Sequence, residues 1–222
     1  MGSVTLLELR TRSRTRANMP VAGFVSDSEL DSFINEGVKA LHGKLVEAYG
    51  EEYVESTYAF STVAGTTDYA LPADFYKLYG IDMPLAGRTR TLRPYNRQER
   101  NIFKDTRFTN VSPPRYALVG NNIRFAPSPP SADCTMWYAP EATKLVLTTD
   151  TYSCPNGWER YVVAYAAIQM LMKEESDARP LQSQFAQWER DLEEMRENRD
   201  AAFPRQATDV EAIAAWDERG WP

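Results

Sequence analysis

The chain has 222 residues, of which 43% are hydrophobic and 25% charged, and carries a net charge of −6. That length holds one sizeable domain with an inserted part and a tail, and no run of about 20 apolar residues is present to cross a bilayer, so no membrane partner is expected. Cys134 and Cys154 stand far apart beside a single histidine, His42, which excludes a cysteine and histidine zinc cluster.

The opening residues lack the apolar core and small-residue cleavage site of a secretion signal, so none is expected. Val4 to Asn18 reads as a short helix with Leu6, Leu7 and Leu9 on one side and Arg10, Arg12, Arg14 and Arg16 following, ended by Pro20. Ser26-Asp27-Ser28-Glu29 offers side-chain acceptors for the free amides of a new helix. Phe33, Ile34, Val38, Leu41, Leu45, Val46 and Tyr49 then step by three or four, predicting a helix from Ser28 to Tyr49.

Beyond Tyr53 the period falls to two. Tyr58 to Val63 reads as a strand, Ala64 to Thr67 as a hairpin turn into Asp68 to Leu71, and Leu71 to Phe75 as one helical turn. Tyr76 to Met83 is expected to be extended, Thr89 to Arg93 a strand and Tyr95 to Lys104 a short basic helix. Arg115 to Val119 and Ile123 to Ala126 flank Gly120-Asn121-Asn122, a second hairpin, and Thr135 to Tyr138 adds another strand. Helical periodicity returns from Trp158 to Met172, breaks at Asp177 to Pro180 and resumes from Leu181 to Ala201. After Phe203-Pro204 the chain spaces Val210, Ile213, Trp216 and Trp221 among charges, which reads as an arm that orders on a partner.

The fold class expected is therefore α+β: a bundle of N- and C-terminal helices (1–55 and 148–202), a β-rich insert (56–147) and an extended arm (203–222). No internal repeat is evident.

No catalytic, cofactor-binding or metal-binding residue can be nominated from the sequence, and no enzyme is expected. His42 follows the stripe position Leu41 on a helix and suits packing or solvation better than general-base work, and His42 with Glu47 lacks the spacing of a helical metal motif. Glu51-Glu52, Glu174-Glu175 and Glu193-Glu194 fall at helix ends or on a charged face. The lone glycine turns lack the strand-to-helix context that cradles phosphate. Cys134 and Cys154 read as idle thiols, with one disulfide as the open alternative, since Cα separation decides it.

Charge is segregated. Arginines crowd the first helix and the stretch from Arg88 to Arg115, while acids from Glu189 to Glu218 dominate the last quarter. Such asymmetry lets copies attract head to side, the contact that closes rings. Arg93, Arg97, Arg100 and Arg107, interleaved with Tyr95, Phe103 and Phe108, are the candidate subunit contact. A nucleic-acid-binding or other virion module using 88–115 is the alternative, weakened by the overall acidity.

Val4-Thr5-Leu6-Leu7-Glu8-Leu9-Arg10, Phe24-Val25-Ser26-Asp27-Ser28-Glu29-Leu30 before a helix with Ile34-Asn35, and Tyr69-Ala70-Leu71-Pro72-Ala73-Asp74-Phe75-Tyr76-Lys77-Leu78 together resemble the head-to-tail connector, or adaptor, proteins of tailed bacteriophages. The late helical pair matches that layout. The resemblance implies a structural subunit of a dodecameric ring beneath the portal vertex, in the virion neck, assembled in the host cytoplasm. It implies as partners further copies of itself, the portal protein, a tail or nozzle protein, and DNA passing through the channel. It also implies a C-terminal extension rising into clefts between portal subunits, assigned to Phe203, Val210, Ile213, Trp216 and Trp221. The long, proline-rich insert departs from a minimal connector and would meet a tail protein, a fibre or a neighbouring copy.

Overall fold

The computed structural model describes residues 2–50, 53–99, 101–102, 113–154 and 157–195. Four helices and nine strands lie among them, a mixed helix-and-sheet chain of the α+β class.

The chain opens with a strand, β1 (Gly2–Thr5), and only then enters α1 (Leu6–Arg16). This corrects the helix expected from Val4. Thr5 is the N-cap: its Oγ1 accepts from the Glu8 amide at 3.2 Å, and its own amide donates to Glu8 Oε2 at 3.0 Å. That reciprocal capping box fixes the helix start at Leu6, and releases Gly2–Thr5 to pair antiparallel with β9 (Thr151–Cys154).

Helix α2 (Asp27–Tyr49) starts after Ser26, whose Oγ accepts from the Glu29 amide. It buries Ile34, Val38, Leu41, Leu45, Val46 and Tyr49, the expected stripe, and leaves Phe33 half-buried. α3 (Glu159–Lys173) and α4 (Arg179–Met195) follow late in the chain. Leu6, Leu9, Leu41, Leu45, Trp158, Tyr161, Ala166 and Leu192 from all four helices meet in one apolar cluster. A Cβ built on Gly37 would lie 3.2 Å from the Tyr165 ring, so the bare backbone at 37 is what lets α2 approach α3 so closely.

A second cluster sits between two sheets. β2 (Ser56–Thr62), β8 (Ala132–Pro140), β4 (Phe75–Leu85) and β5 (Arg88–Thr91) form one antiparallel sheet in that order, and β3 (Asp68–Ala70), β7 (Asn122–Ala126) and β6 (Arg115–Val119) form the other. Ile81, Met83, Ile123, Phe125, Cys134, Met136 and Tyr138 fill the space between them. Alternation along β8 is regular, with Cys134, Met136 and Tyr138 facing in.

Two expectations fail here. Ala64 to Thr67 does not close a hairpin: β2 pairs with β8 and β3 with β7, so the turn carries the chain between sheets. Three residues of β3 offer too little ladder to hold a partner by locality. Tyr69 instead packs its ring on Phe60 and Phe125, 5.8 and 5.6 Å between centroids. The basic helix expected over Tyr95 to Lys104 is reduced, among the described residues, to a single 3-10 turn at Arg97–Glu99. The hairpin at Gly120 to Asn122 is present, and Leu71 to Phe75 makes one turn closed by the Phe75 amide on the Pro72 carbonyl at 3.1 Å.

The helical and β parts meet at few points. His42 Nε2 lies 2.9 Å from the Pro140 carbonyl, which can only accept, so this nitrogen carries the proton. The His42 ring packs edge-on against Tyr76, and the Tyr79 hydroxyl lies 3.3 and 3.1 Å from the Gly50 and Val54 carbonyls. His42 is thus a packing residue. Neither cysteine forms a disulfide: Cys134 is buried between the sheets and Cys154 under the helices.

Candidate assembly surfaces

The arginines of α1 are not a free basic zone, contrary to the reading from charge alone. Arg10 makes a two-pronged hydrogen bond to Asp31, which raises its pKa further. Arg14 is buried and donates to the Val25 carbonyl at 3.0 Å, the Val21 carbonyl at 3.3 Å and Asp27 Oδ1 at 2.7 Å, tying the 20–27 loop to the helix. Arg12 faces Glu159 at 3.6 Å, and Arg16 donates to Gln184 and lies over the Trp188 ring. A helix this polar docks through its arginines because its apolar face is narrow. Glu189, one of the late acids, is likewise used internally, by Lys44 at 3.0 Å and the Tyr161 hydroxyl at 3.2 Å.

The second basic stretch is different. Arg88, Arg90 and Arg93 are all exposed, and none forms an ion pair among the described residues. After Thr91 the chain crosses to the other sheet: the Tyr95 amide donates to the Tyr116 carbonyl at 2.9 Å, and the Tyr116 amide to the Arg93 carbonyl at 3.2 Å. Arg93 and Arg97 are thereby brought to the rim of β6. Arg97 lines a shallow groove of about 590 Å³ with Tyr95, Tyr116, Leu118 and Arg124. Arg124 is held by Asp68 at 2.6 Å, and the guanidinium keeps that carboxyl below the usual carboxylate range. Arg100 and Arg107 lie outside the described residues, as do the arm residues Phe203, Val210, Ile213, Trp216 and Trp221.

A feature the sequence did not disclose is the loop between β8 and β9. Asn35 of α2 donates to the Leu145 carbonyl at 3.0 Å and accepts from the Leu145 amide at 2.8 Å, imitating a strand partner 110 residues away. Asp150 Oδ2 accepts from the Val146 and Leu147 amides at 2.7 and 2.8 Å, which holds its carboxyl below the ordinary range. Pinned this way, the loop turns Leu145 inward and leaves Val146 and Leu147 64% and 63% exposed. Leu7, 55% exposed, lies on the residue whose amide donates to Thr148. Apolar side chains held rigidly in water suit contact with another protein. No periodicity could reveal them, since the signal is a long-range hydrogen bond.

Among the described residues no group of three or more His, Cys, Asp or Glu side chains could hold a metal, and no helix is long and apolar enough to cross a membrane. What is exposed is a set of strand edges, an arginine rim and an apolar loop, features through which one protein meets another. A family model described as SU10 adaptor protein matches residues 4–210, so the chain belongs to the SU10 adaptor protein family. It is a phage structural adaptor protein, as the opening segments resemble, and the family is not one of enzymes. The match ends inside the expected arm: Phe203 and Val210 fall within it, and Ile213, Trp216 and Trp221 beyond it. No curated protein matches the chain.

Proposed function

We propose that the chain is one subunit of a ring, a dodecamer, that sits beneath the portal in the virion neck and joins the capsid to the tail. The observation that carries this reading is the adaptor family match across residues 4–210. The helices of 1–55 and 148–202 act as its bundle, the insert 56–147 meets neighbours or the tail, and the arm 203–222 docks into portal clefts through Phe203, Val210, Ile213, Trp216 and Trp221. Two indole groups on a short arm offer a large apolar area to such clefts and can offset the entropy of ordering it. Arg93, Arg97, Arg100 and Arg107 form the basic side of the contact between copies. The exposure of Arg93 and Arg97 at one rim supports this role.

The mass of the full chain, measured alone and with portal protein, together with electron micrographs, tests the proposal. Rings that form with portal, and the loss of portal binding in a Trp216→Ala/Trp221→Ala variant, are the expected results. A chain that stays monomeric beside portal protein overturns it.

A further inference from the structure

Among the described residues the four-stranded sheet has two unpaired edges, β2 and β5, and they are unlike each other. β2 is seven residues long, Ser-Thr-Tyr-Ala-Phe-Ser-Thr, with no charge, proline or glycine to discourage pairing. Natural proteins normally blunt such an edge. β5 is short, and Arg88 and Arg90 guard it.

The register shows how the two rows of side chains continue to each edge. On β5, Arg90 is opposite Met83 and Arg88 opposite Leu85, so both arginines lie on the core-facing side, with Thr89 and Thr91 on the outer side. On β2, Tyr58 is opposite Met136 and Phe60 opposite Cys134, which puts these aromatics on the core-facing side and Thr57, Ala59 and Ser61 outside. Tyr58 nonetheless remains 38% exposed, because it stands at the margin of the sheet. Among the described residues the core-facing row thus ends uncovered at both margins, in an aromatic at one and in two cations at the other.

We infer that β5 of one copy pairs with β2 of the next, making a sheet that runs on from subunit to subunit. This rests on the ring proposed above. Three observations converge. Successive neighbours in β2-β8-β4-β5 are antiparallel, so β5 runs opposite to β2. Rotation about an axis along the strands therefore delivers the next β2 antiparallel to β5, continuing the alternation. The core-facing rows match, Arg88 and Arg90 against Tyr58 and Phe60, an arrangement that favours cation–π contact; the outer rows match as small hydroxyl and methyl groups. The arginines also set the polarity of the joint. Two β5 edges would bring like charges together, whereas β5 on β2 does not, and a contact between two different edges is the head-to-tail kind that closes a ring.

Disulfide trapping in the full chain tests the joint. Ala59→Cys is combined with Thr89→Cys in one chain and with Thr91→Cys in another, covering the two outer-row registers; Cys134 and Cys154 stay in place because both are buried. One of the two pairs is expected to give a ladder of covalent species beyond the dimer under oxidation, while each single cysteine stays uncrosslinked. A dimer from Ala59→Cys alone would show β2 pairing with itself and overturn the inference. Independently, Tyr58→Arg places a cation opposite Arg88 and Arg90 and should weaken association roughly tenfold or more. Adding Arg88→Glu and Arg90→Glu to it should restore association. If the unaltered chain makes rings but neither cysteine pair ladders and Tyr58→Arg assembles normally, the joint lies elsewhere and the ring survives. If the unaltered chain makes no ring with portal protein, the ring itself is refuted and this joint with it.

Discussion

Asn35→Ala is the sharpest test of how the apolar loop is held. The substitution removes both partners of the Leu145 backbone, its 3.0 Å donor and its 2.8 Å acceptor, at a buried site. Each orphaned backbone group costs about 1–3 kcal/mol. The bond from Asn35 to the Asp31 carbonyl is also lost, and the better helix propensity of Ala returns roughly 0.5 kcal/mol. With two groups orphaned, a net loss of about 1.5–5.5 kcal/mol follows. With a urea m-value of about 2–3 kcal/mol/M, the unfolding midpoint should fall by about 0.5–3 M. Ser32→Ala, on the exposed face of the same helix, is the control and should cost under about 0.5 kcal/mol. Hydrogen exchange adds a local readout: Leu145 should lose protection in Asn35→Ala but keep it in Asp150→Ala. If Asn35→Ala unfolds at the same urea concentration as Ser32→Ala, the loop is held by something other than this amide.

Arg14→Met strands the Val25 carbonyl and should cost about 2–4 kcal/mol, while Arg12→Met, at a half-exposed ion pair, should cost under about 0.5 kcal/mol in the same urea titration. Equal costs would mean that the α1 arginines are interchangeable surface charges. The folded pKa of Asp150 is depressed by the two amides it caps, so its contribution is present above the unfolded carboxylate value and is lost as pH falls through the folded one. The melting-temperature gap between the unaltered protein and Asp150→Ala should accordingly be open at pH 7 and narrow towards pH 3; a gap independent of pH would refute the cap. Burial pushes the Cys154 thiol up to about 12 and raises that of Cys134. Neither should react with an aromatic disulfide reagent at pH 8 until urea unfolds the chain, and prompt reaction in the native state would contradict their burial.

Much of the helical part was legible because its signals are local. The Ser26 cap, the stripe from Ile34 to Tyr49 and the seam from Tyr161 to Ile168 are all read within one helix, where three or four residues close a turn, whereas the expected seam member Met172 is exposed and Met170 is buried instead. The capping box at Thr5 and Glu8 is equally local, yet the expected start at Val4 lies before it. The same limit governs the surfaces. Arginines at 88, 90, 93 and 97 were visible as a cluster, but whether an arginine is free depends on what lies across from it: Asp31 and Asp27 neutralise Arg10 and Arg14, and nothing comparable reaches Arg88 or Arg90 among the described residues.

The sequence by itself determined where the long helices and most of the strands lie, because periodicity and caps are properties of neighbours along the chain; β1 and β9 were not legible in that way. Which strand lies beside which was decided only in three dimensions. β2 left β3 for β8, and β1 found β9, because burying Phe60, Tyr69 and Phe125 together, or Val4 with Cys154, rewards partners far apart in the chain more than a short turn rewards adjacent ones. The unguarded edge of β2 is a product of that choice, since an edge exists only once the order of the sheet is set.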